Sequence, residues 1–320
     1  MFSYKKCGAI CFDILNDHEE VYHKSCCLDL FGILQIPTIE INQNDLEKLA
    51  LNIINKRLTI PGVQKKLSLQ IHLNEKNSPP RMTIVGALSG QFILKPPTQE
   101  YPFMPELECL TMQLAKICGI EVAKHGLVLL KNDGIAYVTK RFDRMDEEKI
   151  ACEDLCQLSE LMTDQKYKST AERTAKIIKK YSSYPGDDLL RYLEVTIFSF
   201  LTGNADMHLK NFSLITTPKN IIRLSPAYDL LATRLLISEK EDSEELVLSV
   251  NGKKSNLKRK DFEILSENIG IPKKTFQFIM NKFLSKKNEL SKIIEKSFIP
   301  KNMQKEYLEM IAERSDRLKF

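Results

Sequence analysis

The sequence predicts an α+β chain in which a small β-rich N-terminal lobe is followed by a larger helical lobe, and three observations carry that prediction. Short alternating or continuous apolar runs, separated by turn residues, dominate residues 1–145. In residues 146–320 the apolar side chains instead recur at three- and four-residue intervals over six segments. At 320 residues, with 43% hydrophobic side chains, the chain is long enough to bury a core in each part.

The elements follow in order. Residues 1–36 form a cysteine-rich cap, residues 37–52 a linker and short helix with Asn44 or Asp45 available as its cap. Strands are predicted at 67–73 (LSLQIHL), 82–85 and 91–95 (QFILK), with Pro79-Pro80 and Ser89-Gly90 as turns. A helix over 106–118 stops at Gly119, and strands at 127–130 and 136–140 flank the turn Asn132-Asp133-Gly134. The helical part reads as segments 153–162, 169–181, 187–201, 260–268, 273–285 and 302–318. A hairpin at 212–215 and 221–224 interrupts them.

Composition narrows the function. Charged residues make up 28% and mean hydropathy is −0.25, the profile of a folded globular protein rather than a disordered one. No apolar run approaches the roughly 18 residues of a bilayer span, and the N-terminal residues lack the order of a secretory signal, so a cytoplasmic protein without membrane contact is expected. A net charge of +5 is too mild for a dedicated nucleic-acid binder but suits a phosphate-bearing ligand. The densest basic stretch, Lys253, Lys254, Lys258, Arg259 and Lys260, reads as a solvated face.

Cysteine is concentrated at the N-terminus. Cys7-x3-Cys11 followed by His23-x2-Cys26 resembles a zinc knuckle, since two close pairs of soft or borderline ligands can meet at one tetrahedral Zn²⁺. Cys27 rivals Cys26 as the last ligand, and an apolar cap in which cysteine packs as a hydrophobe fits the same letters.

The segment GNADMHLKNF carries most of the chemistry. After an apolar helix it places Asp206 and Asn211 five residues apart, the separation of a kinase catalytic loop, where the aspartate takes the substrate hydroxyl proton and the asparagine holds Mg²⁺. A hard cation needs an anionic oxygen as well, and the hairpin would return Asp229 beside Asn211 to supply it. Upstream, Lys95 ends a strand and Glu108 opens the next helix, the order in which an ammonium gripping phosphates is oriented by a carboxylate. A strand-end lysine in solvent is the plainer alternative for Lys95. Gly62, Val63 and Gln64, in a loop spanning 58–68, could present backbone amides to phosphate, although a surface turn explains them equally.

Together TIPGVQKKLSL, FILKPP, ELECLTMQLA, KRFDR, EDLCQ, GNADMHLKNF, PAYDLL and SVNGKK resemble, in this order, the HipA-like toxin kinases, and most closely their short HipT branch. The resemblance runs from about residue 58 to the C-terminal helices. It implies a two-lobed protein-kinase-like fold and an ATP- and Mg²⁺-dependent serine/threonine kinase, the toxin of a toxin–antitoxin module whose substrate is an aminoacyl-tRNA synthetase. It further implies two partners, a small companion protein standing for an absent N-terminal subdomain and a DNA-binding antitoxin, with no nucleic acid bound directly by this chain. By position, Lys95 contacts the phosphates, Lys140 and Phe142 lie in the hinge (138–144) against adenine, and His208 and Tyr228 line the nucleotide pocket. Asp206 is the base, and Asn211 and Asp229 hold Mg²⁺. Thr59 stands at the family's autophosphorylated hydroxyl, where serine is usual. Lys140 replaces a glutamate of the family pattern, and Cys152 a glutamine. The rival functions are a catalytically silent nucleotide-binding partner in a repressor complex and a small-molecule kinase.

Overall fold

The structure, a computed structural model, describes residues 6–8, 11–15, 21–39, 66–73, 79–85, 89–131, 134–145 and 148–319. The predicted short helix beyond residue 39, the turn residues Asn132 and Asp133, and the loop residues Thr59, Gly62, Val63 and Gln64 lie outside them. The chain forms two compact units. One comprises Met1–Cys109, Ala123–Arg141 and Lys296–Phe298; the other comprises Leu110–Val122, Phe142–Glu295 and Ile299–Phe320.

The first unit is built on an antiparallel sheet. Its strands are β1 (Leu67–His72), β2 (Arg81–Val85), β3 (Phe92–Lys95), β4 (His125–Leu129) and β5 (Ile135–Lys140), in the order β2-β1-β3-β5-β4. Alternation explains the register: Leu67 and Leu69 are buried while Leu67 pairs with Leu94 and Leu69 with Phe92, so apolar side chains meet across the ladder. A helix absent from the sequence reading, α1 (Lys24–Phe31), covers this core with Cys27, Leu30 and Phe31, and the Phe31 ring lies 5.7 Å from that of Phe92. Gly32 ends α1 in the left-handed conformation at φ 76°, which glycine adopts without a Cβ clash. Helix α2 (Met104–Ile117) follows β3, and its residues through Cys109 belong to this unit.

The second unit is mostly helical. After the two-stranded pair β6 (Arg144–Met145) and β7 (Glu148–Lys149) come β8 (Cys152–Asp154), the short α3 (Leu155–Leu158), α4 (Ala171–Tyr181) and α5 (Pro185–Thr202). The hairpin β9 (Ser213–Thr216) and β10 (Ile222–Leu224) precedes α6 (Arg259–Asn268), α7 (Lys273–Ser285), α8 (Lys287–Lys296) and α9 (Lys301–Leu318). The apolar spacing predicts one helix over 153–162; instead residues 152–154 add a third strand to the hairpin, with Asp154 opposite Ser213. Asp154 then ends the strand, because its carboxylate accepts the Gln157 amide and Gln157 returns the bond, a capping box that starts a helix of only one turn. Helix α8 was also not anticipated. The basic stretch is not uniformly a solvated face: Arg259 is buried, with its guanidinium donating to the Leu318 carbonyl at 3.0 Å and to Gln277 at 2.7 Å.

Helix α5 is the spine of this unit. Proline at its first position supplies a pre-set φ, and Leu193, Ile197, Phe198 and Phe200 are fully buried along it. It ends at Gly203, whose φ of 74° is the left-handed conformation that glycine adopts without strain, so the turn calls for glycine. Among the described residues no helix is long and apolar enough to cross a membrane.

Candidate active site

The loop after α5 is fixed by backbone bonds on both sides. The Asn204 amide donates to Ser199, the Arg234 amide to the Gly203 carbonyl, the Ala205 amide to the Thr233 hydroxyl, and the Val247 amide to the Ala205 carbonyl. Within the loop, the Asp206 carbonyl accepts both the His208 amide at 2.9 Å and the Asn211 side-chain amide at 2.8 Å. This second bond fixes Asn211: with Nδ2 donating to Asp206, the amide oxygen turns to the opposite side. The Asp206 carboxylate is 52% exposed, as a proton acceptor for an external hydroxyl must be. His208 is buried, with Nε2 3.9 Å from that carboxylate and its ring 5.2 Å from the ring of Tyr167 in an edge arrangement. Partial burial and the charge of the Asp206 carboxylate beside it hold the Tyr167 phenol up at about 12, so it stays protonated.

Asp229 is brought to the same loop through its neighbour. The hairpin register sets the Ser225 amide on the Ser213 carbonyl at 2.9 Å, and the chain continues to Tyr228. The Tyr228 hydroxyl donates to the Lys210 carbonyl at 2.8 Å and lies 2.6 Å from the Ser213 hydroxyl, tying residue 228 to the turn Leu209–Asn211. Burial pushes this phenol well above its ordinary value, and its ring stands 5.4 Å from that of Phe142. Asp229 itself has φ 55°. Aspartate is one of the few side chains that tolerate this region, at a cost of about 1 kcal/mol or more, and such residues cluster at functional sites. Lys210 turns aside to Asp154, with Nζ 2.8 Å from Oδ2.

In the sheet unit, Lys95 and Glu108 form a buried ion pair with side chains 3% and 1% exposed. The alternative of a solvent-facing Lys95 is thereby overturned. Tyr137, directly across the ladder from Lys95, presents its ring 5.3 Å from the ammonium. At the end of β5 the Lys140 amide donates to the Lys124 carbonyl at 2.7 Å, and the Arg141 amide to Gln91 at 2.8 Å. The Lys140 and Arg141 amides are thus committed to the fold, and Phe142 is the first residue of the helical unit after them.

Asp206, His208, Asn211, Tyr228 and Asp229 therefore share one locality of the helical unit, while Lys95 and Glu108 are joined inside the sheet unit. A cavity of about 200 Å³ opens beside Asn211 and is walled by Glu121, Arg191, Pro226 and Ala227; it is smaller than the roughly 300–1,000 Å³ of a ligand pocket, so it is not a complete nucleotide site. Sequence reasoning missed Tyr167, which lies in irregular chain with no periodic signal. It also missed Asp154, whose capping-box spacing to Gln157 was available to find it. The N-terminal Cys7, Cys11, His23 and Cys26 are brought together in the sheet unit.

Comparison with known proteins supplies the family. The chain is 33% identical over 222 residues to Y4dM of Sinorhizobium fredii, covering 66% of this chain and 53% of that protein. It is 30% identical over 196 residues to the serine/threonine-protein kinase toxin HipA of Shewanella oneidensis, covering 55% of this chain and 43% of that protein. The chain thus matches about half the length of these relatives. Among solved structures it superposes, with a TM-score of 0.67 and 22% identity, on HipA from the Shewanella oneidensis complex of HipA, HipB and operator DNA, over 84% of this chain and 70% of that one. The architecture is thus the α+β kinase-like fold of HipA. Because the sequence pattern of the HipA-like C-terminal domain matches residues 58–291, well over half of the chain, this protein belongs to the HipA-like C-terminal domain family.

Proposed function

We propose that this chain is an ATP- and Mg²⁺-dependent serine/threonine protein kinase that works in the cytoplasm as the toxin of a toxin–antitoxin module. The observation that carries the reading is the loop closed on the Asp206 carbonyl by Asn211, which leaves the Asp206 carboxylate open to an incoming hydroxyl. Asp206 accepts the hydroxyl proton as the γ-phosphoryl group transfers, with Tyr167 and His208 flanking its carboxylate. Asn211 and Asp229 fit a hard cation, offering an amide oxygen and a carboxylate and no soft atom. Bound there, Mg²⁺ would neutralise charge on the β- and γ-phosphate oxygens. Lys95, oriented by Glu108, serves the phosphates; Gly62, Val63 and Gln64 are assigned to them by motif, and Lys140, Phe142, His208 and Tyr228 to the nucleotide's walls.

The relative solved with HipB and operator DNA supports a DNA-binding antitoxin as partner, and the family resemblance supports an aminoacyl-tRNA synthetase as substrate, a small companion protein and self-phosphorylation at Thr59. Phosphosite mapping after brief expression tests this reading. Wild type is expected to mark a synthetase and Thr59, and Asp206→Ala to mark neither. The same sites in both strains would remove Asp206 from the mechanism.

A further inference from the structure

The N-terminal cysteine cap carries a site that the kinase reading does not use. Its four ligand atoms, on Cys7, Cys11, His23 and Cys26, all lie within 4.8 Å of one another. Cys11 Sγ stands 3.3 Å from His23 Nδ1, Cys26 Sγ 3.9 Å from Cys11 Sγ, and Cys26 Sγ 4.0 Å from His23 Nδ1. A tetrahedral zinc ion with Zn–S of about 2.3 Å and Zn–N of about 2.0–2.1 Å sets its ligands about 3.8 Å apart for two sulfurs and about 3.6 Å for sulfur and nitrogen. The two sulfur–nitrogen separations bracket about 3.6 Å, and the sulfur–sulfur separation lies close to the ~3.8 Å of two sulfurs. They also exclude a disulfide between Cys11 and Cys26, and every cysteine is free.

A second observation concerns the histidine. His23 Nε2 lies 3.2 Å from the Ile14 carbonyl, an acceptor, so Nε2 carries the hydrogen and Nδ1 presents a lone pair toward the sulfurs. Metal-ligating histidines are held this way, with the far ring nitrogen donating to a carbonyl or carboxylate. The backbone frames both ligand pairs as well. The Cys7 amide donates to the Asp13 carbonyl at 2.8 Å, and Lys6 bridges Ile14, closing the turn that holds Cys7 and Cys11. His23 caps α1 and Cys26 lies in its first turn, with the Cys27 amide on the His23 carbonyl. Cys27 is fully buried in the hydrophobic core and is not part of the cluster, which decides between the two rival last ligands.

We propose that Cys7, Cys11, His23 and Cys26 bind one structural Zn²⁺ in a closed four-coordinate site. Three thiols and an imidazole select a borderline-soft ion, and a full protein ligand set provides no open position for substrate. The ion's role is to staple the cap to the edge strand β4, where the Leu127 amide donates to the Gly8 carbonyl and the Tyr22 hydroxyl donates to the Leu127 carbonyl. Binding displaces the thiol protons, so affinity falls as the medium is acidified.

The test uses the full chain. Elemental analysis of protein purified without chelator is expected to give about one zinc per chain, and Co²⁺ added to the chelator-stripped protein is expected to give the intense visible bands of tetrahedral thiolate coordination. His23→Ala and Cys26→Ala should lose the ion, His23→Cys should keep it, and Cys27→Ala should be indifferent. Zinc should protect Cys7, Cys11 and Cys26 from alkylation in wild type, a readout that needs no variant to fold and no kinase activity. Failure of the wild-type chain to take up either metal, or a full equivalent retained by Cys26→Ala, would overturn the proposal.

Discussion

Removing Glu108 is the sharpest probe of the sheet unit. In Glu108→Ala the Lys95 ammonium stays in a position 3% exposed without the carboxylate that now faces it. Breaking a buried pair from one side costs about 3–5 kcal/mol, and because the Tyr137 ring at 5.3 Å faces the ammonium in wild type and variant alike, the expected loss is at least about 3 kcal/mol. A chain of two compact units need not unfold in one step, so the loss is best read locally by hydrogen exchange at the β3 and β5 amides. A loss of that size corresponds to exchange about a hundredfold faster there, with amides of α6 and α7 unchanged. The double variant Lys95→Met/Glu108→Leu keeps the volume and abolishes both charges; it should recover most of the protection, since well-packed apolar side chains replace a buried pair at little cost. It should still fail to transfer phosphate. Exchange altered less than about twofold in Glu108→Ala, or single losses that simply add in the double variant, would refute the reasoning.

Three other outcomes follow from the same kind of reading. Asp188 is fully buried and accepts from the Ser182 hydroxyl at 2.6 Å, the Leu224 amide at 2.9 Å and Arg223 Nε at 3.1 Å, so Asp188→Ala should cost the helical unit about 3 kcal/mol by thermal unfolding, and a loss below about 1 would contradict the network. Tyr167→Phe deletes only the hydroxyl beside the Asp206 charge; kcat should fall about tenfold with KM for ATP unchanged, while an altered KM alone would assign Tyr167 to nucleotide binding. Burial raises the Glu106 carboxyl from 4.5 to about 7, so the folded chain holds this proton more tightly than the unfolded one. The resulting stability is complete below about pH 4.5 and is lost as pH rises toward 7, by as much as about 3 kcal/mol; Glu106→Gln should flatten the stability profile across that window, and an unchanged slope would count against it.

How much the sequence disclosed depended on the range of the interactions involved. Strands such as Phe92–Lys95 and helices such as Lys273–Ser285 were legible because periodic burial is written locally. Asp206, Asn211 and Asp229 stand out in the sequence because loop chemistry imposes residue type at fixed spacing, and in the fold Tyr228's bond to the Lys210 carbonyl ties the residue before Asp229 to the turn that holds Asn211. Tyr167 was not, because its contact with Asp206 spans irregular chain whose path depends on bonds such as that from the Leu209 amide to the Lys166 carbonyl. The strand Cys152–Asp154 was hidden by an apolar pattern that also suits a helix, and pairing with Ser213 decided between them. At the N-terminus the spacing could not separate Cys26 from Cys27; the start of α1 did so by turning one sulfur to His23 and burying the other.

The central claim is that residues 206, 211 and 229 form a phosphoryl-transfer centre, and single-turnover transfer from γ-labelled ATP by wild type and Asp206→Asn tests it most directly. The account predicts a rate at least about a hundredfold lower in the variant, with ATP binding retained, because only the proton acceptor is lost. Equal rates in the two proteins, with the label on the same hydroxyls, would contradict it.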